Sequence, residues 1–195
     1  MVSSRNNAAD DPLLDAAREC ILAVGWRRTT LTEVSRRAGV SRMTLYRRWP
    51  DMQTLLADLM TREWSSVAIA AAENAASQPT GAARLGAGIV AMVRSLRENP
   101  LFGKIVAVDP ELLLPYLLDR RGRSQDAILY LVEQTIVSGQ DDGSVRHADP
   151  RLMARSIVLA GYGVTISADT MADDTLGVDT LCDELRLLVE RYAAP

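Results

Sequence analysis

The sequence contains little of what catalytic, metal-binding and disulfide-stabilised proteins use. It has one histidine (His147), two cysteines (Cys20 and Cys182) and 5% aromatic residues. Both cysteines lie in amphipathic helical patterns, so we expect small buried side chains there and no disulfide or metal pair. A Gly-rich phosphate loop, a metal-ligand cluster and a nucleophile motif are also absent from the sequence. We therefore expect no catalytic residue, no metal and no cofactor.

Long apolar runs are missing too. No stretch approaches the roughly 18 uncharged apolar residues that indicate a membrane-spanning helix. The first residues, MVSSRNNAADD, lack the apolar core of a secretory signal. We therefore expect a cytoplasmic protein without a membrane partner. Hydrophobic residues still make up 48% of the chain, which is enough for a sizeable core.

The net charge of −3 hides a basic segment. Between Arg27 and Arg48 lie seven arginines and a single acid, Glu33, whereas residues 64–195 carry 12 basic and 17 acidic groups. A local basic patch can steer an anion whatever the total charge is. By itself, however, the cluster is equally well explained as the solvated face of an ordinary helix.

Apolar residues recur with helical spacing almost throughout, and no stretch alternates convincingly with a period of two. The pattern predicts an all-α protein. The predicted helices are 12–24, 31–38, 42–48, 52–76, 81–98, 101–107, 110–119, 123–138, 150–168 and 178–192. The breaks between them contain turn-forming Gly, Pro, Asn and Asp residues, and Pro115 is expected to bend or shorten the seventh helix.

Two short helices separated by a tight turn stand out within the basic segment. Thr30-Leu31-Thr32-Glu33 has the form of a capping box, in which Thr30 and Glu33 satisfy each other's backbone N–H groups. Gly39 ends the first helix, and Ser41 caps the second. This spacing predicts a helix-turn-helix, whose second helix enters the major groove of DNA with its N-terminus first.

Residues 29–50, TTLTEVSRRAGVSRMTLYRRWP, resemble the DNA-binding domain of the TetR family of repressors, and the resemblance continues to Leu56. It implies an N-terminal helix-turn-helix DNA-binding domain over residues 11–50. It also implies an α-helical regulatory domain over 51–195, which binds a small-molecule effector and forms a homodimer. The expected function is that of a repressor released from a palindromic operator by the effector.

The resemblance also implies roles for individual residues. Base or groove contacts are expected from Thr32, Arg42, Met43 and Arg47, and phosphate contacts from Thr30, Thr44, Tyr46 and Arg48. Arginine can present two donors to guanine, while hydroxyl groups suit phosphate oxygens. Two alternatives stay open: Thr30 could act only as a cap, and Met43 could pack inward. Trp49 is expected to anchor the module to the fourth helix rather than to touch DNA.

One position departs from the family pattern. The family commonly has a lysine near the start of the fourth helix, where it reaches a phosphate, and Met52 stands there in this chain. Loss of one charge-assisted contact should cost about 1 kcal/mol of binding free energy. Arg48 could compensate for it.

The helix predicted over 150–168 has one broad stripe of mostly small residues that suits a dimer interface. The stripe consists of Ile157, Ala160, Gly161, Val164 and Ala168. Packing within one protomer would give the same pattern, so both interpretations stay open.

Aromatic and soft residues on the middle helices are candidates for an effector pocket, since such residues line apolar ligand sites. They are Trp64, Met92, Phe102, Leu113, Tyr116, Tyr130, Gln134 and Tyr162. The effector is expected to be apolar or weakly polar. The same residues would also serve as ordinary core.

Two other classes of function compete with this interpretation. An enzyme would need a reactive centre, and the only histidine, His147, lies in a polar turn beside Arg146. A family member that has lost operator binding would act through its ligand or through protein partners, and Met52 is the single hint of that. Salt-dependent binding to specific DNA distinguishes both from the leading hypothesis.

Overall fold

The computed structural model describes the backbone of residues 4–195 and the side chains from Asp11 onward. Within this part of the chain the regular structure is entirely helical, as predicted. The α-helices are α1 (Ser4–Val24), α2 (Leu31–Arg37), α3 (Arg42–Arg48), α4 (Met52–Ala75), α5 (Gly81–Glu98), α6 (Pro100–Val108), α7 (Arg123–Asp141), α8 (Pro150–Met171) and α9 (Val178–Ala193). In the same described part, no helix is both long and apolar enough to cross a bilayer.

The segment between α6 and α7 differs from the single helix predicted over 110–119. It forms a 3₁₀ turn at Pro110–Leu112 and a π-helical turn at Pro115–Asp119. Proline at position 115 lacks the N–H that would continue a regular α-helix, and it stands instead at the first position of the π-helical turn. The expected effect of Pro115 is therefore confirmed, and it is strong enough to divide the helix.

The chain forms two compact units. The first combines the described chain up to Glu63 with Asn99–Gly122, and the second combines Trp64–Glu98 with Arg123–Pro195. This division differs from the expected boundary at residues 50 and 51. The first part of α4 packs with the helix-turn-helix, and α6 with the turns after it also joins that unit.

In the first unit, α1 packs on α2 and α6, and α2 packs on α3. Ile21, Val34 and Leu45 are fully buried at the centre of this packing. An ionic network joins α1 to α4: Arg62 Nη2 lies 2.8 Å from Asp15 Oδ1 and 3.0 Å from Glu63 Oε1. Arg62 is only 21% exposed, so the network is partly shielded from solvent.

In the second unit, α5 is central and packs against α7, α8 and α9. Its core is aliphatic, and Cys182 is buried there as a free thiol, just as Cys20 is buried in the first unit. The start of α5 approaches the end of α7 so closely that a Cβ on Gly81 would overlap the backbone of Gly139. Glycine at both positions therefore allows this crossing.

Candidate nucleic-acid interface

Local capping builds the two short helices of the candidate site. Thr30 Oγ1 accepts the N–H of Glu33 at 3.2 Å, and Ser41 Oγ accepts the N–H of Thr44 at 3.1 Å. Between the helices Gly39 has φ +69°, a left-handed conformation that costs glycine little. The turn is closed by the N–H of Val40, which donates to the Ser35 carbonyl at 3.0 Å. These predicted caps and the turn are confirmed.

The second half of the expected capping box is absent from the described structure. The Glu33 carboxylate accepts instead from Arg36, at 3.0 Å from Nε and 2.5 Å from Nη2. This hydrogen bonding lowers the pKa of Glu33, which therefore stays ionised and neutralises Arg36 near pH 7. An adjacent guanidinium competes better for the carboxylate than a backbone amide does, because its hydrogen bonds are charge-assisted at both ends.

Two fully buried side chains seat α3 on the rest of the unit. Leu45 points into the core from the middle of the helix, and Trp49 follows its last residue. The Trp49 indole Nε1 donates to Asp58 Oδ2 on α4 at 2.9 Å. A buried indole usually needs such a partner. The predicted role of Trp49 as an anchor between the module and α4 is confirmed.

The remaining side chains of α3 lie at the surface. Met43 is 77% exposed, which excludes the inward packing that the sequence left open. The other predicted contact residues of this helix are also exposed: Arg42, Thr44, Tyr46, Arg47 and Arg48. At the start of α2, Thr30 is exposed and Thr32 half-buried. The fold therefore presents all eight predicted DNA-contacting residues on or beside the two helices of the motif.

The arginines of the basic segment fall into two groups. Outside α3, three of them pair with acids: Arg27 with Glu111 at 2.6 Å, Arg36 with Glu33, and Arg37 with Glu19 at 2.9 Å. On α3, neither Arg42 nor Arg47 has an acidic partner among the described residues. Arg28, before α2, donates to the Val24 carbonyl at 3.0 Å and likewise has no acidic partner among the described residues. Most, but not all, of the unneutralised positive charge of the segment therefore lies on the helix that is expected to enter the groove.

Arg48 differs from both groups. Its guanidinium lies over the Trp49 ring, 5.4 Å from the ring centroid. Such cation–π stacking keeps the charge while restricting the side chain. Arg48 is therefore held at the end of α3, at a place consistent with its expected phosphate contact.

Packing within the protomer accounts for part of the expected dimer stripe on α8. Ile157, Gly161 and Ala168 are buried within the second unit. A Cβ on Gly161 would lie 3.6 Å from Ile89 Cγ2, because the small residues let α8 pack closely on α5 of the same protomer. Of the five predicted residues, only Ala160 and Val164 are partly exposed.

A second stripe on α8 and the adjoining face of α9 is exposed and apolar. Leu159 is 66% exposed, and the other large apolar residues there are Leu152, Ile166, Met171, Leu187 and Leu188. A groove of about 610 Å³ runs between the two helices and is bordered by Ala160 and Val164. Apolar patches of this kind commonly mark interaction surfaces. We call these exposed residues the α8–α9 face.

The second unit also contains a cavity of about 140 Å³ between α4, α5 and α7. Its wall is made mainly of small and aliphatic side chains, namely Ala68, Ala72, Ala75, Ala76, Leu85, Gly88, Ile89, Met92, Ile128, Leu131 and Val132, with Arg84 and Thr135 as its polar members. Of the eight predicted pocket residues, only Met92 lines it. Tyr130 and Gln134 are exposed on α7, while Trp64 and Tyr162 belong to the second unit without lining this cavity. Phe102, Leu113 and Tyr116 belong to the first unit.

Known proteins resemble this chain in both sequence and fold. The model of the bacterial regulatory proteins of the tetR family matches residues 13–59. An HTH-type transcriptional regulator of Mycobacterium tuberculosis is 34% identical over 98% of this chain and 99% of its own length. The solved structure of the TetR family repressor AlkX from Dietzia sp. has a TM-score of 0.69 at 20% identity, covering 93% of this chain and 92% of that one.

FadR from Bacillus subtilis, solved in complex with stearoyl-CoA, has a TM-score of 0.65 at 16% identity and covers 93% of this chain and 97% of that one. These two structures share the fold, while the mycobacterial relative and the family model extend the likeness to the sequence. The chain belongs to the TetR family of bacterial regulatory proteins, and it is a DNA-binding transcriptional regulator rather than an enzyme.

Proposed function

We propose that the chain is a homodimeric repressor that binds a palindromic operator and leaves it when a small-molecule effector occupies the second unit. The observation that carries this proposal is the surface of α3. Arg42 and Arg47 have no acidic partner in the described part of the chain, while Arg27, Arg36 and Arg37 do. A cationic helix without internal counterions suits a polyanion as its partner.

The two ends of α3 have different proposed tasks. Arg42, at the first turn, presents a guanidinium that can bind guanine O6 and N7, and its neighbour Met43 offers an apolar contact in the groove. Arg47 lies one turn after Met43 on α3, and Thr32 lies at the start of α2. Both side chains can reach the groove from these positions. The hydroxyl groups of Thr30, Thr44 and Tyr46, with Arg48, are proposed to hold phosphates and so set the register.

The capping role of Thr30 is compatible with a phosphate contact. Its Oγ1 accepts the N–H of Glu33, which leaves the hydroxyl hydrogen free to donate. Ser41 Oγ and Thr44 Oγ1 lie 2.9 Å apart, so one donates to the other and the Thr44 hydroxyl is already oriented in the free protein. Each residue can therefore support both the helix and the phosphate contact.

DNA binding can be tested on a fragment selected from a random pool by the full-length protein. Fluorescence anisotropy should show specific binding that weakens steeply with salt. Arg42→Ala should lower affinity for the selected sequence by about tenfold or more and relax the preference at one base pair. Arg186→Ala, which removes the same charge from α9, is the matched control and should change affinity little. Equal loss in both variants, or no specific binding by the wild type, would refute the proposal.

A dimer follows from the geometry of DNA and from the α8–α9 face. Two recognition helices reach successive major grooves only when they lie about 34 Å apart, which a twofold dimer provides. The exposed leucines of α8 and α9 offer an apolar surface on which a second copy can pack. A twofold interface is self-complementary, so one such face suffices for both protomers.

The proposed effector site is the cavity between α4, α5 and α7. Its lining is mostly apolar, and Arg84, one of its two polar members, is already paired with Asp142 at 3.1 Å. A compact apolar or weakly polar molecule is therefore the expected ligand class. The FadR neighbour is in complex with stearoyl-CoA, which supports ligand binding by this fold without identifying the ligand here.

An effector in this cavity would contact α4, whose first residues belong to the DNA-binding unit. It can release DNA only if it binds more tightly to a state in which the recognition helices no longer match the operator. Ala75→Leu should fill the cavity and abolish stabilisation of the protein by small apolar molecules in a thermal-shift screen. Unchanged stabilisation in this variant would place the effector site elsewhere.

A further inference from the structure

Two carboxylates just after α6 bind the turn that joins α1 to α2. Asp109 Oδ2 accepts the backbone N–H of Trp26 at 2.8 Å, across 83 residues of sequence. Glu111 Oε1 accepts from Arg27 Nε at 2.9 Å and from Nη2 at 2.6 Å. All four residues belong to the first unit. We call this group the clasp.

The backbone beside the clasp is shaped for close approach. Gly25, which precedes Trp26, has φ +84°, and a Cβ there would lie 3.3 Å from Val108 Cγ1 and 3.4 Å from Asp109 Oδ2. Thr29 Oγ1 donates to the Gly25 carbonyl at 2.8 Å, which tightens the same turn. A side chain at position 25 would therefore be strained and would crowd the end of α6. The turn and the end of α6 can pack this closely because residue 25 has no side chain.

Stability alone does not account for Asp109. The residue is 1% exposed, and its Oδ1 has no hydrogen-bond partner in the described structure. The nearest cationic atom to that oxygen is Arg27 Nε at 3.6 Å, on a side chain that is 71% exposed. Burying a carboxylate with one oxygen unsatisfied costs free energy, and an asparagine of the same size would accept the Trp26 N–H without burying a charge. A positional role explains why a buried charge lies here.

We propose that the clasp positions the helix-turn-helix on α6. Asp109 is the positioning residue, and the exposed Arg27–Glu111 ion pair is a contact that can break and re-form. Asp109 acts through the Trp26 amide and touches no DNA. Because the turn it holds leads directly into α2, a displacement of α6 would move the helix-turn-helix as well. This gives the module a second attachment besides the continuous helix α4. The inference rests on the proposed function only where DNA affinity is the readout.

Hydrogen exchange tests the clasp without DNA. In the full chain, Asp109→Ala should accelerate exchange of the Trp26 amide by about tenfold or more, the scale expected when a hydrogen bond to a charged group is lost. Glu111→Gln should accelerate it less. Asp119→Asn is the matched control, because it removes one exposed carboxylate from the same unit outside the clasp, and it should leave exchange unchanged.

DNA affinity distinguishes a positioning role of the clasp from a simple effect of net charge, because the two predict changes in opposite directions. Removing a carboxylate makes the protein more positive, so charge alone predicts tighter binding for Glu111→Gln and Asp119→Asn alike. If the clasp positions the module, Glu111→Gln instead weakens binding several-fold.

The outcomes are distinct. Unchanged Trp26 exchange in Asp109→Ala, or tighter DNA binding in Glu111→Gln to the same degree as in Asp119→Asn, would overturn the proposal. Should Asp109→Ala fail to fold, Glu111→Gln decides the matter through both the Trp26 exchange rate and the DNA affinity. If the wild type binds no specific DNA, the proposed function fails while the exchange measurements still decide whether the clasp exists.

Discussion

The two compact units leave different kinds of surface uncovered. In the first unit, acids neutralise Arg27, Arg36 and Arg37 but not Arg42 and Arg47 of α3, so a cationic surface remains. In the second unit the arginines at the helix contacts are paired, and an aliphatic surface remains instead on α8 and α9.

Each uncovered surface indicates its partner. Cationic side chains without counterions gain most from a polyanion, because phosphate contacts release condensed ions. Aliphatic side chains gain most from another aliphatic surface, and a second copy of the chain supplies one. This contrast between the units supports the proposal that DNA and a second protomer are recognised by separate regions.

Breaking the α8–α9 face should have the largest effect. Leu159→Arg places a charge in the middle of the proposed interface and should give a monomer in size-exclusion chromatography with light scattering. Operator affinity should then fall by about a hundredfold or more, because the second half-site is no longer bound by a tethered partner. Leu176→Arg, in the loop after α8, is the matched control. A dimer that persists in Leu159→Arg would rule out this face.

Breaking the packing of the second unit should destabilise the protein without involving DNA. Gly81→Ala would force α5 and α7 apart and should cost about 3 kcal/mol of unfolding free energy, at the upper end for overpacking. Gly103 in α6 offers the opposite case, since a Cβ there meets nothing within 4 Å. Gly103→Ala should instead stabilise the helix by up to about 1 kcal/mol. Urea unfolding of both variants measures the difference, and equal stability would contradict the close crossing.

The helix-turn-helix could be predicted because its determinants are local. Thr30, Gly39 and Ser41 each satisfy or redirect the backbone within a few residues, so their roles follow from the sequence. Most other helix boundaries were close, since Pro and Gly mark them, but α1 begins at Ser4 and contains Pro12, at which it was predicted to start. The exception within the motif is the second half of the capping box. Glu33 pairs with Arg36 although the capping-box pattern assigned it to Thr30, because two good partners competed for one carboxylate.

The regulatory surfaces could not be predicted in the same way. Helix α8 has two apolar stripes, and periodicity does not tell which one faces the protomer's own core. Gly161 was therefore expected in an interface although it is buried in the second unit, while Leu159, which is exposed, was not considered. The cavity was expected among aromatic residues, but alanines form much of its wall, because space arises where side chains are small. The clasp joins Trp26 to Asp109, and no local pattern indicates a contact of that length.

Low pH should remove the stabilisation that the ionised Asp142 carboxylate gives to the second unit. Hydrogen bonds from the Ser144 hydroxyl, the Gly81 N–H and the Ser144 N–H lower the pKa of Asp142 to about 2 from 3.8. A folded-state pKa below the unfolded value means that this stabilisation is complete above about pH 4 and is lost as the pH falls toward 2. Thermal unfolding of Asp142→Asn should therefore show a smaller loss of stability than the wild type over that range. Asp141→Asn, at the neighbouring exposed carboxylate, should follow the wild type; identical curves for Asp142→Asn would contradict the assignment.

The smallest effect concerns the cationic surface of the first unit and its one departure from the family pattern. Met52 begins α4 and is half-buried, and Asp51 beside it caps the helix by accepting the N–H of Thr54 at 2.7 Å. Met52→Lys should add one phosphate contact and tighten operator binding about fivefold, equivalent to about 1 kcal/mol. Part of this gain is offset because a cation at a helix N-terminus opposes the helix dipole. The contact should also steepen the dependence of log affinity on log salt by about one unit.

Met52→Gln, which adds no charge, is the control. If Met52→Lys and Met52→Gln gave the same affinity and salt dependence, position 52 would lie outside the reach of a phosphate, and the cationic surface would end at α3.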